Sequence, residues 1–181
     1  MQLAPLATVT ILRTGVCVDG TPFIVCAGLC GCLRMYTQLF EQWALALDVS
    51  TAFRLNRGRF SSHPFKCVVT LPDDHRFAAS STDPSIHGAV TVYLAKAHGT
   101  VEELKVLRPS DIVDERFSIS CMDMGTRHVA AGSREGSIVL WQMDEHFNVD
   151  LSWSARADEG PVAALAVAGG TADVIVAAYR Q

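Results

Sequence analysis

Cys26, Cys30 and Cys32 are spaced C-x3-C-x-C, and three thiolates joined by one histidine form a tetrahedral zinc set. No fourth ligand lies near them in sequence and no paired C-x2-C motif is present. The metal reading therefore gives way to small side chains packed in a core, where cysteine is among the most buried residue types. Asp73, Asp74 and His75 form the densest polar cluster, and a carboxylate beside an imidazole is the raw material of general acid–base catalysis. They follow Pro72 directly, however, and Pro-Asp-Asp is ordinary turn chemistry. The histidines at 63, 75, 87, 98, 128 and 146 stand in no nucleophile-elbow, HExxH or phosphate-loop context. Arg54, Arg57 and Arg59 recur in a segment with no acid after Asp48, which marks a candidate partner-binding loop, although three arginines supply only a few phosphate contacts.

The elements that must position these residues repeat. Gly31-Cys32-Leu33-Arg34-Met35-Tyr36, Gly88-Ala89-Val90-Thr91-Val92-Tyr93 and Gly136-Ser137-Ile138-Val139-Leu140-Trp141 share one pattern of glycine, small residue, aliphatic, variable, aliphatic, aromatic. Gly31, Gly88 and Gly136 read as turn glycines, each feeding a strand that ends on Tyr36, Tyr93 or Trp141. Upstream lie the small-residue runs Val25–Gly28, Phe77–Ser81 and Val129–Ser133, with a fourth copy at Ile175–Ala178, as suits strands buried on both faces. Further upstream, Cys17, Cys67, Cys121 and Ala164 are read as one register of first strands, at separations of 50, 54 and 43 residues. Outer strands are expected at Trp43–Leu47, Val101–Leu107 and Val149–Ala155, with Leu6–Leu12 as an outer strand ahead of the first unit. An amphipathic helix over 36–47 is the weaker alternative to a strand there. Self-similarity at this period is the signature of a repeat architecture.

Val129–Trp141, VAAGSREGSIVLW, resembles the core of a WD-repeat of the β-propeller family, and Pro161–Val167 resembles the opening strand of the next repeat. The likeness spans Thr8 to Gln181 as a divergent, partial set of about three and a half repeats. The dipeptide that names the family is absent, since Gln142 follows Trp141. Ala157-Asp158 replaces the family's Gly-His pair, and Glu135 stands where the tight-turn Asp is usual, so the family's His-to-Asp network is not expected. The resemblance implies an all-β, incomplete propeller of three four-stranded blades plus part of a fourth. Its units fall at about 8–47, 64–107, 116–155 and 160–181, in one domain spanning 1–181 with a basic connecting loop at 48–64. A propeller closes with roughly 4 to 8 blades, so the chain is expected to be a fragment, a half-propeller completed by another copy or partner, or an open array with exposed edges. In the fragment case, the reading frame beyond Gln181 is expected to continue with a strand of the same Gly-small-aliphatic pattern.

Composition fits a folded domain. Apolar residues make up 49% of 181, which excludes a disordered chain. Net charge is −4 and the basic residues are scattered, so nucleic acid is not expected as a partner. No apolar run of about 18 residues is present to span a membrane, and the N-terminus lacks the features of a signal peptide. Thiols spread through a core suggest a reducing compartment, cytoplasm or nucleus. The implied role is a non-catalytic protein-interaction scaffold, a subunit or fragment of a multiprotein assembly, with no cofactor. It would bind other proteins and self-associate through open strand edges. The alternatives are a propeller hydrolase or lyase whose pore site would draw on Asp19 and Asp123, a nuclear-pore-type structural propeller, suggested by Arg76–Ser81 and Val90–Leu94, and a β-rich fragment with no function of its own.

Overall fold

The computed structural model describes residues 9–28, 31–50, 53–54, 60–61, 65–71, 75–81, 88–156, 160–168 and 174–180. Three four-stranded antiparallel meanders dominate it. Blade one comprises β1 (Val9–Val16), β2 (Pro22–Gly28), β3 (Cys32–Leu39) and β4 (Gln42–Ser50). A short hairpin of β5 (Phe53–Arg54) and β6 (Phe60–Ser61) lies in the connection to blade two. Blade two comprises β7 (Phe65–Thr70), β8 (Arg76–Ser81), β9 (Val90–Ala95) and β10 (Val101–Leu107), and blade three β11 (Ile119–Met124), β12 (His128–Ser133), β13 (Ser137–Met143) and β14 (Val149–Arg156). A two-stranded sheet of β15 (Val162–Ala168) and β16 (Val174–Tyr179) follows. The first strands β1, β7, β11 and β15 lie side by side in that order. The architecture is an incomplete β-propeller with part of a fourth blade.

Alternation along each strand gives every blade two faces, and the middle blades bury both. Between blades one and two, Phe23, Val25, Leu33 and Met35 meet Val68, Phe77 and Tyr93. Phe77 stacks on Tyr93 with ring centroids 4.9 Å apart and lies 5.9 Å from Phe23. Between blades two and three, Ala78, Val90, Val92 and Leu107 meet Met122, Met124, Val129, Val139 and Trp141. We call the face turned to the following blade the front and the other the back. In blades two and three the fronts of the second strands carry the small residues Ala78, Ala130 and Gly132 and the backs carry Phe77 and Val129, whereas in blade one Phe23 and Val25 stand on the front; the terminal aromatic of each third strand points back.

One bulge repeats at the same place in all four first-to-second strand pairings, between Val9 and Ile11, Phe65 and Cys67, Ile119 and Cys121, and Val162 and Ala164. It corrects the register read from the cysteines. Ile11 takes the position of Cys67, Cys121 and Ala164, whereas Cys17 follows the end of β1 and closes a turn, its N–H donating to Thr21 O and its carbonyl accepting from Gly20 N. Matching by residue type failed there because Asp19-Gly20 forms the turn immediately after Cys17, with Gly20 at φ 80°. The same shift makes 9–16 the inner strand of blade one; Leu6–Thr8, from the outer strand expected at Leu6–Leu12, lie outside the described residues. The segment 36–47 is two strands joined at Phe40-Glu41, and no helix forms there.

Candidate partner-binding rim

Turns between first and second strands, and between third and fourth strands, emerge on one rim. There the blades are tied together by side chains reaching across seams. Between blades one and two, Asp19 Oδ2 accepts from His98 N at 3.0 Å while its Oδ1 accepts from Thr21 N at 3.0 Å. These hydrogen bonds, that from His98 first, hold the Asp19 carboxyl down to about 2. His75 Nδ1 lies 3.1 Å from Val16 O, and Ala95 O accepts from Val18 N. Between blade three and β15, Asp123 Oδ2 accepts from Val167 N at 2.7 Å near this rim, and at the other end of the same strands Ser120 Oγ donates to Val162 O at 2.6 Å.

The seam between blades two and three opens into a groove of about 350 Å³, lined by Arg76, Leu94, Thr126, Arg127, Asp144, Glu145 and Phe147. Its architecture starts at the β13–β14 turn. Asp144 Oδ1 accepts from His146 N and Asn148 N, both at 2.8 Å, and its Oδ2 accepts from Asn148 Nδ2 at 3.0 Å. These bonds hold the Asp144 carboxyl below the usual range, those from Asn148 foremost. The turn sets Phe147 at φ 61°, a left-handed conformation that a bulky residue adopts only when its surroundings over-determine it. Phe147 consequently lies across the seam over Arg76, with the guanidinium carbon 5.3 Å from the ring centroid. Arg76 is largely buried and donates from Nη2 to Thr126 O at 2.5 Å. Exposed Arg127 donates from Nε to Met143 O at 3.3 Å. The groove thus offers two apolar walls, Leu94 and Phe147, with arginines and carboxylates of both signs at its mouth. Apolar walls and a charged mouth are chemistry suited to apolar contact and charge-assisted hydrogen bonds.

The sequence-predicted residues fall elsewhere. Arg54 lies on the backbone of β5, and Arg57 and Arg59 lie outside the described residues, as do Asp73 and Asp74. Gly31, Gly88 and Gly136 adopt φ of 75°, 70° and 91° at their turns. Tyr93 and Trp141 are buried in the seams, whereas Tyr36, on the back of blade one, is half-buried. Glu135, in the tight turn before Gly136, accepts from Ser118 N at 2.9 Å. Partial burial opposes its ionisation, but the hydrogen bonds from Ser118 outweigh it and leave the carboxyl low. Cys17, Cys26, Cys67 and Cys121 are free thiols, and Cys30 lies outside the described residues. Burial pushes Cys67 up to about 11, and burial with the nearby Asp19 charge does the same to Cys17; neither is a nucleophile at neutral pH. Sequence reasoning missed Arg76, Arg127 and Phe147 because they converge across a seam. The available signal was Asp144 with Asn148, a turn-forming pair flanking an aromatic.

No family model matches the chain, and no curated protein matches it. Solved structures do. The computationally designed protein Ika4 matches at TM-score 0.57 and 16% identity, over 100% of this chain and 96% of that one. The designed Ika8 matches at TM-score 0.59 and 16% identity over 94% of this chain, and Sqt1 of Saccharomyces cerevisiae, a WD-repeat protein, at TM-score 0.58 and 18% identity over 86%. This chain spans 42% of Ika8 and 39% of Sqt1. At these identities the likeness is one of fold, and it agrees with the four-stranded blades.

Proposed function

We propose that the chain is a non-catalytic protein-interaction scaffold, intracellular and part of a multiprotein assembly, that grips a segment of a partner protein in the groove between blades two and three. The observation that carries this reading is Phe147, held in a left-handed conformation by Asp144 and laid over Arg76 of the neighbouring blade. Strain of that kind costs about 1–3 kcal/mol, and here it shapes a recess with apolar walls and a polar mouth on a rim. Rim loops of a rigid repeat scaffold are where binding concentrates. The likeness to a WD-repeat fold agrees with protein partners. The enzyme alternative is weakened by its own candidate residues: Asp19 and Asp123 both accept backbone N–H groups across seams, which spends them on structure. Self-association through uncovered sheet surfaces is a second mode within the same reading.

The test places a photo-crosslinking residue in cells at Glu145, exposed in the groove, or at Glu103, exposed on β10. Discrete adducts at 145 but not 103, lost on Arg127→Glu with the fold intact by circular dichroism, are expected. Equal adducts at both positions, or adducts indifferent to Arg127→Glu, would overturn the groove as the docking site.

A further inference from the structure

The groove between blades two and three carries charges of both signs, and they are not equally committed. Asp144 spends both carboxylate oxygens on its own turn, accepting from His146 N, Asn148 N and Asn148 Nδ2. Arg76 is 8% exposed, lies under the Phe147 ring and donates to Thr126 O. Arg127 is held in another way. Its carbonyl accepts from Met143 N at 2.8 Å and its Nε donates back to Met143 O at 3.3 Å, so β13 fixes both the root and the neck of the side chain. Its two terminal NH2 groups make no hydrogen bond or ion pair among the described residues, and the residue lines the groove. Glu145 is exposed, and no hydrogen bond or ion pair among the described residues tethers its carboxylate.

The difference in anchoring decides which charge recognises a partner. A guanidinium already fixed at Nε loses little freedom on binding and keeps its two terminal nitrogens for a carboxylate, the bidentate pairing in which arginine is strongest. An untethered glutamate must be ordered from solvent before it can hold a cation, and an exposed pair of that kind contributes little. The Arg76 guanidinium, bonded to the residue next to Arg127, adds a second positive charge on this side, whereas the Asp144 charge is met by three N–H donors. Leu94 pairs with Arg76 across β8 and β9 and is half-buried, so an apolar wall stands beside the arginines. The volume of about 350 Å³ is at the lower end of ligand-pocket sizes, about 300–1,000 Å³, and suits a few side chains of an extended segment.

We propose that the groove takes an acidic segment of a partner protein: an Asp or Glu side chain on the Arg127 guanidinium, with a neighbouring aliphatic or aromatic side chain against Leu94 and Phe147. This inference rests on the groove reading above and names the chemistry of its occupant.

The probe is a phage-displayed library of random peptides selected on the immobilised 181-residue chain. Enriched peptides are then synthesised and titrated by fluorescence polarisation against the unaltered chain and against Arg127→Gln, Glu145→Gln and Leu94→Ser, each checked for folding by circular dichroism. The enriched peptides are expected to carry Asp or Glu beside Leu, Ile, Phe or Trp. Arg127→Gln should weaken them about tenfold, and Glu145→Gln, which removes a like charge, should strengthen them. Changing the peptide acid to its amide should cost as much as Arg127→Gln, and the two losses should not add, as for groups in direct contact. Peptides without an acid that lose binding on Leu94→Ser but not on Arg127→Gln would overturn the carboxylate and leave the groove as the docking site. Basic peptides weakened by Glu145→Gln would overturn it with the sign reversed. Peptides indifferent to all three substitutions would overturn the groove itself, and a selection that enriches nothing would overturn the acidic segment while crosslinking at Glu145 still tests the groove.

Discussion

Trp141 and Trp153 stand on adjacent strands of one blade but on opposite faces. Trp141, 2% exposed, lies on the back of blade three among Met122, Met124, Val129 and Val139, against Val90 and Val92 of blade two. Trp153, 48% exposed, pairs with Leu140 on the front of the outer strand. A buried tryptophan removes about 150–250 Å² from water, which at roughly 25 cal/mol per Å² is about 4–6 kcal/mol. Truncation to alanine in a seam should accordingly cost about 3–5 kcal/mol. Truncating Trp153 forfeits about half that area, so the expected loss is about half as large, roughly 1.5–2.5 kcal/mol. Urea unfolding followed by far-ultraviolet circular dichroism measures both. The expected result is a midpoint shift at least twice as large for Trp141→Ala as for Trp153→Ala at unchanged slope. Equal shifts, or a larger one for Trp153→Ala, would refute the assignment of faces on which the blade stacking rests.

Other consequences follow from the seams. A Cβ on Gly132 would stand 2.6 Å from Val162 Cγ1 and 2.9 Å from Cys121 Sγ. Gly132→Ala should therefore raise amide exchange in β15, and Val162→Ala in the same chain should restore protection; no rescue would mean the contact is not the cause. Asp19 is depressed to about 2 by its hydrogen bonds to His98 and Thr21. Because its folded value lies below its unfolded one, its contribution is complete above about pH 4 and fades as pH falls towards 2. Asp19→Asn should flatten that part of the stability profile in a thermal-melt series, and an unchanged profile would exclude the tie. Cys17 and Cys67, both pushed up to about 11, should label with iodoacetamide at neutral pH far more slowly in the folded chain than in urea. Peptide mass spectrometry reads this site by site, and equal labelling rates would show that the seams are open.

The third strands were legible because a turn glycine, alternate aliphatics and a terminal aromatic are written locally; β10 occupies the expected Val101–Leu107. Small residues at Ala130, Ala131 and Gly132 announced a strand buried on both faces, and β12 is buried throughout. The opening strand of blade one was misplaced because a cysteine was matched to cysteines, whereas the repeated bulge that sets the register leaves no residue-type signature. The groove was illegible for a different reason. Arg76 and Phe147 are far apart in sequence and meet only across a seam, and the positive φ at Phe147 is imposed by Asp144 rather than encoded by glycine. The ties Asp19–His98 and Asp123–Val167 likewise join elements whose proximity is set by blade order.

Seams between stacked blades, rather than individual sheets, hold the molecule together. Hydrogen exchange followed by mass spectrometry tests it most directly, because protection reports local opening free energy. The slowest amides are expected in β8, β9, β12 and β13, whose faces meet neighbours on the core sides, with faster exchange in the outer strands β4 and β14. Protection that is uniform across the strands, or greatest in β4 and β14, would contradict it.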